Sequence, residues 1–269
     1  MVSSIYSDLT SLIAQRSMNK INRSIHTAQE RIASGKRINS AKDDASGLAI
    51  AQRLTSMSEG LLAATRNAND AISMVQTAES GMSGITENLQ RIRELSIQAA
   101  NGTLSNSDRG YIQSEVNALK DEINRVVDTT NFGGRKLLNT DETLNFQVGS
   151  EAGDTVSVEI GNMGDQLQSL GIGDIDLSSA EGANNAIGVI DQALEEIATT
   201  QAELGAVQNR FESTINNLAA SNISAQEARS RIEDADLAKE LTNLTQNRIR
   251  EQAAIAMMGH ANQDRGIVA

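Results

Sequence analysis

Few residues in this chain have the type and spacing needed for covalent chemistry. His26 and His260 are its only histidines, and it has no cysteine. No H-E-x-x-H sequence supplies a second ligand and a general base, so each imidazole reads as an exposed helix residue rather than a metal ligand. With so few histidines, no nucleophile–base pair can be assembled. The carboxylates of ELSI (Glu94–Ile97), DEIN (Asp121–Asn124) and ALEE (Ala193–Glu196) read as solvated helix faces. The lone G-x-G of GIGD (Gly171–Asp174) has no following GK[ST] and no strand–helix context, which leaves phosphate binding without support. Asn222-Ile223-Ser224 fits a glycosylation acceptor, a pattern that predicts little by itself. The expectation is a non-enzyme with no catalytic, cofactor-binding or metal-binding residues and no cofactor.

One short stretch concentrates charge instead. NSAKDDASGLAI (Asn39–Ile50) sets Lys42, Asp43 and Asp44 among small residues. Ser40-Ala41-Lys42-Asp43 fits a capping box, with Ser40 as N-cap and Asp43 reaching back. Carboxylates at that place favour a helix start, through free N–H groups and the helix dipole. The small residues Ala41, Ala45, Ser46, Gly47 and Ala49 are either ordinary helix filler or a site of close helix approach.

The elements around this joint are helical. The 269 residues include no Pro, Cys or Trp, and aromatics make up 2%. Average usage supplies Pro at about 5% of positions, so its absence points to long unbroken helices. Few aromatics mean a thin core of Leu, Ile, Val, Ala and Met. The net charge of −12 argues against a nucleic-acid partner, since phosphate needs a basic face. No apolar run of about 18 residues could span a membrane, and MVSSIYSDLT does not open like a secretory signal. No membrane association is expected.

Ile21, Ile25, Ala28 and Ile32 form a helical stripe, and Gly35 supplies a stop. A helix is expected from Ala41 to about Ala100, roughly 90 Å if unbroken. A break near 60–69 is possible because Gly60, Asn67 and Asn69 are poor helix formers. NGTLSNSD (Asn101–Asp108) reads as a turn, followed by Ile112, Val116, Leu119, Ile123 and Val126 at heptad spacing. NFGGRKLLNTDE (Asn131–Glu142) is turn-rich. Leu144, Phe146 and Val148, then Val156, Val158 and Ile160, alternate with polar residues across SEAGD, which predicts a β-hairpin. From Ala183, Ile190, Ile197, Leu204, Phe211 and Leu218 recur every seven residues, a coiled-coil pattern. It passes through ARSRIEDAD (Ala228–Asp236) and resumes at Leu237, Leu241 and Leu244. The fold class expected is mainly α, a long antiparallel coiled coil or helical rod with a small β-hairpin region. Antiparallel folding would bring the two charged joints together, with Arg229 and Arg231 meeting Asp43 and Asp44, and Lys42 meeting Glu233 or Asp236.

Several of these stretches resemble bacterial flagellin: RIASGKRINSAKDDASGLAIAQRL (Arg31–Leu54), ATRNANDAISMVQTAESGM (Ala64–Met82), NLQRIRELSIQAANGT (Asn88–Thr103), LGAVQNRF (Leu204–Phe211) and ARSRIEDADLAKEL (Ala228–Leu241). The resemblance covers essentially the whole chain. It implies a terminal coiled-coil domain from residues 1–40 and 231–269, and a rod domain from 41–230 with the hairpin region at about 131–177. It implies a short form without variable outer domains. The closing QDRGIVA departs from the family's usual hydrophobic, leucine-ending segment.

The resemblance further implies a structural subunit that polymerises into the flagellar filament for swimming. Ile5, Leu9, Leu12, Ile21, Ile25, Ile32, Leu237, Leu241, Leu244 and Ile255 would line the terminal coiled coil and subunit interface. Lys42, Asp43, Asp44, Arg229, Arg231, Glu233 and Asp234 would form the connector. Arg91, Leu95 and Glu115 match positions associated with recognition by the innate Toll-like flagellin receptor. Arg91, Leu95 and Gln98 share a face expected to be exposed. Other implied partners are further copies of the chain, the flagellar cap and hook-junction proteins, and an export chaperone. The protein would be secreted by the flagellar type III apparatus without a cleaved signal peptide. The metallopeptidase of some flagellins is not supported. Residues 1–35 and 237–269 are expected to be largely disordered in the monomer and to fold on assembly. Rival readings are the hook–filament junction protein, which the C-terminal ARSRIEDAD disfavours, and a chemoreceptor-like signalling coiled coil, which the hairpin disfavours.

Overall fold

The computed structural model describes the backbone of residues 3–268 and the side chains of residues 12–259. Among the described residues six α-helices dominate: α1 (Ser3–Ser34), α2 (Ala45–Ala99), α3 (Asn106–Thr129), α4 (Met163–Ser169), α5 (Ala180–Glu233) and α6 (Leu237–Val268). Four short strands pair in two antiparallel hairpins, β1 (Asn131–Phe132) with β2 (Arg135–Lys136), and β3 (Leu144–Gln147) with β4 (Thr155–Val158). The chain is therefore mainly α with long helices and a small β region, as its periodicities imply. Two compact units divide it, one of residues 1–58 with 223–269 and one of residues 59–222.

The 59–222 unit holds the larger core. Leu89, Ile92, Val116, Ile123, Ile190, Ile197, Leu204 and Phe211 are all buried there. Ile190, Ile197, Leu204 and Phe211 are successive members of the seven-residue repeat, so that repeat is the buried seam of α5. Its partner is α2, running antiparallel: Arg93 pairs with Asp191 at one end, and Leu61 and Ala64 cluster with Leu218 at the other. α3 folds back on α2 after a short turn. Ser105 and Asp108 form a complete capping box that starts it. Arg109, buried, donates to the carbonyls of Ala99 (2.9 Å) and Asn101 (3.1 Å), satisfying acceptors that the end of α2 leaves open.

The predicted hairpin forms with Leu144 opposite Val158 and Phe146 opposite Val156. Phe146 meets Phe211 edge to face, with centroids 5.9 Å apart, so the hairpin is keyed into the helical core. The hairpin also corrects the suspected break in α2, which runs unbroken through 60–69. At Gly60 a Cβ would come within 3.1 Å of the Ser150 side chain, and the Asn67 amide donates to the Gln147 carbonyl at 2.9 Å. These two weak helix formers lie where the hairpin docks. The sequence marks the β1–β2 hairpin only as turn-rich chain. Its two-residue loop is Gly133-Gly134 with φ of +59° and +86°, the sign that a tight primed turn demands.

In the other unit, α1 and α6 run antiparallel. Arg31 pairs with Glu240, while Lys20, Thr27 and Asn247 border one groove further along. Ile25 and Ala28 are buried between them.

Candidate assembly surface

The two connectors, residues 35–44 and 234–236, meet through backbone. α1 stops at Gly35, whose φ of +71° turns the chain out of the helix. That turn presents the Gly35 carbonyl to the Ala235 N–H (2.9 Å), while the Arg37 N–H donates to the Glu233 carbonyl (2.6 Å). Lys36 and Asp234 thus form an isolated antiparallel bridge. Side chains reinforce it: the Lys36 ammonium reaches the Glu233 carboxylate at 2.6 Å and the Arg37 guanidinium reaches the Ile232 carbonyl at 2.6 Å.

The joints therefore meet, but not through the expected partners. Asp43 accepts from the N–H groups of Asn39 (3.1 Å) and Ser40 (3.0 Å) and from the Ser40 hydroxyl. Asp44 accepts from the Gly47 N–H (2.9 Å) and the Ser46 hydroxyl (2.9 Å). Arg231 pairs with Glu227 on its own helix, and Arg229 reaches the Thr55 hydroxyl. Both aspartates are closer to unsatisfied N–H groups than to any arginine of the other joint, and those donors engage them first. They also hold both carboxyls below the usual carboxylate range. For Asp43 the Asn39 N–H contributes most, and for Asp44 the Gly47 N–H.

The helix start also moves. Residues 41–43 form a turn, α2 begins at Ala45, and Asp44 occupies the capping position assigned to Ser40. Only half of the expected box exists, because the Asp43 N–H goes to the Ser40 carbonyl rather than its hydroxyl. Gly47 explains the shift. A Cβ there would meet Ile38 Cδ1 at 2.7 Å and the Asp44 carboxylate at 2.5 Å. Ile38, 2% exposed, plugs the joint through the space that Gly47 leaves. Of the small residues in this stretch, Gly47 makes the close approach. Lys42 is exposed.

Beyond the connector the apolar surface is unevenly covered. Ile25 is buried, and Ile21, Ile32 and Leu244 are half-buried against the partner helix. Leu12, Leu237, Leu241 and Ile255 are exposed, together with Ile13, Ile249 and Met257, which is 69% exposed. Ile5 and Leu9 lie on α1 with side chains outside the described residues, as does the side chain of His260; His26 is exposed. A two-helix pair can cover only one stripe of each helix, and here the remaining apolar residues face outward.

In the 59–222 unit, Arg91 donates to Glu115 at 2.8 Å and to Glu94 at 3.1 Å, so Arg91 and Glu115 lie together at the surface. Leu95 corrects the expected face. It is 3% exposed and belongs to the core with Ile92 and Ala99. Residues three and four apart share a stripe, and Leu95 lies three from Ile92 as well as four from Arg91.

Sequence reasoning missed Lys36, Arg37, Ile38 and the Arg31–Glu240 pair. The first three act through backbone bonds and a close approach that side-chain periodicity does not register. The R-x-x-S-G-K-R run ending α1 was the available signal. Among the described residues no helix is long and apolar enough to cross a membrane, and no three His, Cys, Asp or Glu side chains are grouped to hold a metal.

Comparison with known proteins matches both ends of the chain. Residues 5–143 match the bacterial flagellin N-terminal helical region, and residues 187–268 match the bacterial flagellin C-terminal helical region. The chain is 33% identical to polar flagellin B/D of Vibrio parahaemolyticus, over 98% of this chain and 97% of that one. That alignment extends over 368 positions against 269 residues here, so the relative holds intervening sequence that this chain lacks. The chain is 40% identical to the flagellar filament 33 kDa core protein of Treponema phagedenis, over 95% of each chain and only 275 positions. The crystal structure of Bacillus cereus flagellin superposes with a TM-score of 0.52 at 30% identity, covering 60% of this chain and 94% of that one.

Proposed function

Because this chain belongs to the bacterial flagellins, in a short form, we propose how its two units divide the work of a filament subunit. The protein is a structural, self-polymerising subunit of the flagellar filament that serves motility. In the division we infer, residues 1–40 and 231–269 form a terminal coiled-coil domain that drives assembly. Residues 41–230 form the rod, and Lys42, Asp43, Asp44, Arg229, Arg231, Glu233 and Asp234 belong to the connector. One observation carries this reading: the α1–α6 pair leaves Leu12, Ile13, Leu241, Ile249, Ile255 and Met257 facing outward. Ordering two 32-residue helices costs conformational entropy that a single shared stripe offsets poorly. The terminal helices therefore remain largely disordered in the free monomer and order when neighbouring copies cover them. Contacts of this kind that do not close into a ring build a helical filament.

The flagellar cap and hook-junction proteins are the partners proposed at the filament's ends, and an export chaperone precedes them. The route is the type III export apparatus, without a cleaved signal peptide, to the outside of the cell. The host Toll-like receptor is proposed to read the monomer around the exposed Arg91–Glu115 pair, with Leu95 supporting that surface from below.

Seeding purified protein with short filament fragments tests the core of this reading. Electron microscopy is expected to show elongation, and circular dichroism a gain in helix as monomer is consumed. Seeds that never lengthen, or an unchanged helix signal, would contradict it.

A further inference from the structure

The two units differ sharply in charge. Residues 1–58 and 223–269 carry 14 Lys and Arg against 11 Asp and Glu, a net of +3, whereas residues 59–222 carry 9 against 24, a net of −15. The whole chain's acidity thus comes from one unit alone, and the assembly helices are the basic part.

Within the basic unit, α1 and α6 border an open groove of about 430 Å³. Lys20, Arg23 and Arg31 line its α1 side, and Glu240, Asn243 and Asn247 its α6 side. Three cations thus face one carboxylate. That carboxylate is already engaged: one Glu240 oxygen accepts from Arg31 at 3.1 Å and the other from the Asn243 amide at 3.4 Å. Arg23 spends only its Nε N–H locally, on the Asn19 carbonyl. The Arg31 Nε N–H is buried and has no hydrogen-bond partner. A buried donor of a charged group left in that condition is costly, and an anion reaching the groove would relieve it.

Resting on the filament reading above, we infer that this groove receives carboxylates from the acidic 59–222 unit of a second copy of the chain. Charge complementarity selects that occupant. The α5 segment of that unit has exposed Glu195, Glu196, Glu203 and Glu212 with Arg210 as its only cation between Ala180 and Asn222. Apolar matching holds the neighbours together, while the groove steers an incoming copy and fixes its orientation. The same arrangement disfavours wrong pairings, since two acidic units brought face to face repel.

Seeded elongation of the full-length chain, followed by light scattering at low ionic strength, tests this. Arg23→Gln is compared with Arg53→Gln, which removes the same charge from an exposed site in the same unit outside the groove. Arg23→Gln is expected to slow elongation several-fold, Lys20→Gln with Arg23→Gln on the order of tenfold, and Arg53→Gln less than about twofold. The gap from the wild type should close as salt is raised, because screening removes the steering. Arg23→Lys keeps the charge and should keep the rate, and melting curves of all variants separate lost steering from lost folding. A double variant that elongates like the wild type at low salt, or an Arg53→Gln variant as slow as Arg23→Gln, would overturn the inference while leaving the filament reading intact. Seeds that fail to grow with the wild type would instead remove the filament reading.

Discussion

The 59–222 unit and the α1–α6 pair both carry apolar stripes of Leu, Ile, Ala and Met, yet only one of them closes on itself. In the first, α2, α3 and α5 surround a continuous seam, and the β3–β4 hairpin adds Phe146 against Phe211. In the second, two helices share a stripe around Ile25 and Ala28 and leave large apolar residues such as Ile249 and Met257 facing solvent. The difference lies in the number of neighbours each helix has within the chain. A helix with two or more neighbours finds its partners at home; a helix with one leaves the rest of its apolar surface uncovered. The Vibrio parahaemolyticus and Treponema phagedenis relatives align over nearly the whole of this chain, both units included.

This contrast can be broken most forcefully at Phe211. Its side chain is fully buried, and Phe211→Ala leaves a cavity where the hairpin meets α5. A loss of about 3–5 kcal/mol in monomer stability is expected from urea unfolding. A loss below about 1 kcal/mol would mean the unit is not the closed core described. Arg109→Met comes next. It leaves the Ala99 and Asn101 carbonyls without their donor at the α2–α3 turn and should cost about 1–3 kcal/mol in the same measurement.

Gly47→Ala probes the joint. The added methyl group collides with Ile38 and Asp44, and overpacking of this kind costs about 1–3 kcal/mol. The effect should appear as faster amide exchange at residues 36–48 with the 59–222 unit unchanged. Leu241→Ala is the opposite case. Its side chain is 52% exposed, so monomer stability should move by less than about 0.5 kcal/mol, while seeded elongation falls. Equal loss of both would place Leu241 in a monomer core.

The smallest effect expected is pH dependence at Asp43 and Asp44. Their folded pKa values lie below the ordinary carboxylate range because local N–H groups favour the ionised form. Their contribution is therefore complete above that range and is lost as pH falls through the lowered folded values. Carboxyl titration by NMR should show both aspartates ionised after exposed carboxylates have protonated. A midpoint in the ordinary range would contradict the cap geometry.

Much of this was legible in the sequence, for physical reasons. The seven-residue recurrence from Ile190 to Leu218 named the α5 seam, and the alternation around SEAGD named the hairpin. Periodicity reports which side chains share a face, and these elements are defined by their faces. The connector is defined otherwise. Ser40–Asp43 and Ser105–Asp108 carry the same capping pattern, yet only the second is a complete box. At the first, Gly47 admits Ile38 and Asp44 becomes the cap, an outcome set by packing across the joint. Lys36 and Arg37 act through a backbone bridge that side-chain periodicity does not register. Leu95 was misplaced because a helical position belongs to two overlapping stripes, and only the presence of neighbouring helices decides which one is covered.

The central claim, that the 59–222 unit is complete in one copy and the α1–α6 pair is not, is tested most directly by hydrogen exchange on monomer and filament. We expect the amides of α2, α3 and α5 within residues 59–222 to be protected in both states, and those of α1 and α6 to gain protection only in the filament. Equal and strong protection of α1 and α6 in the isolated monomer would contradict it.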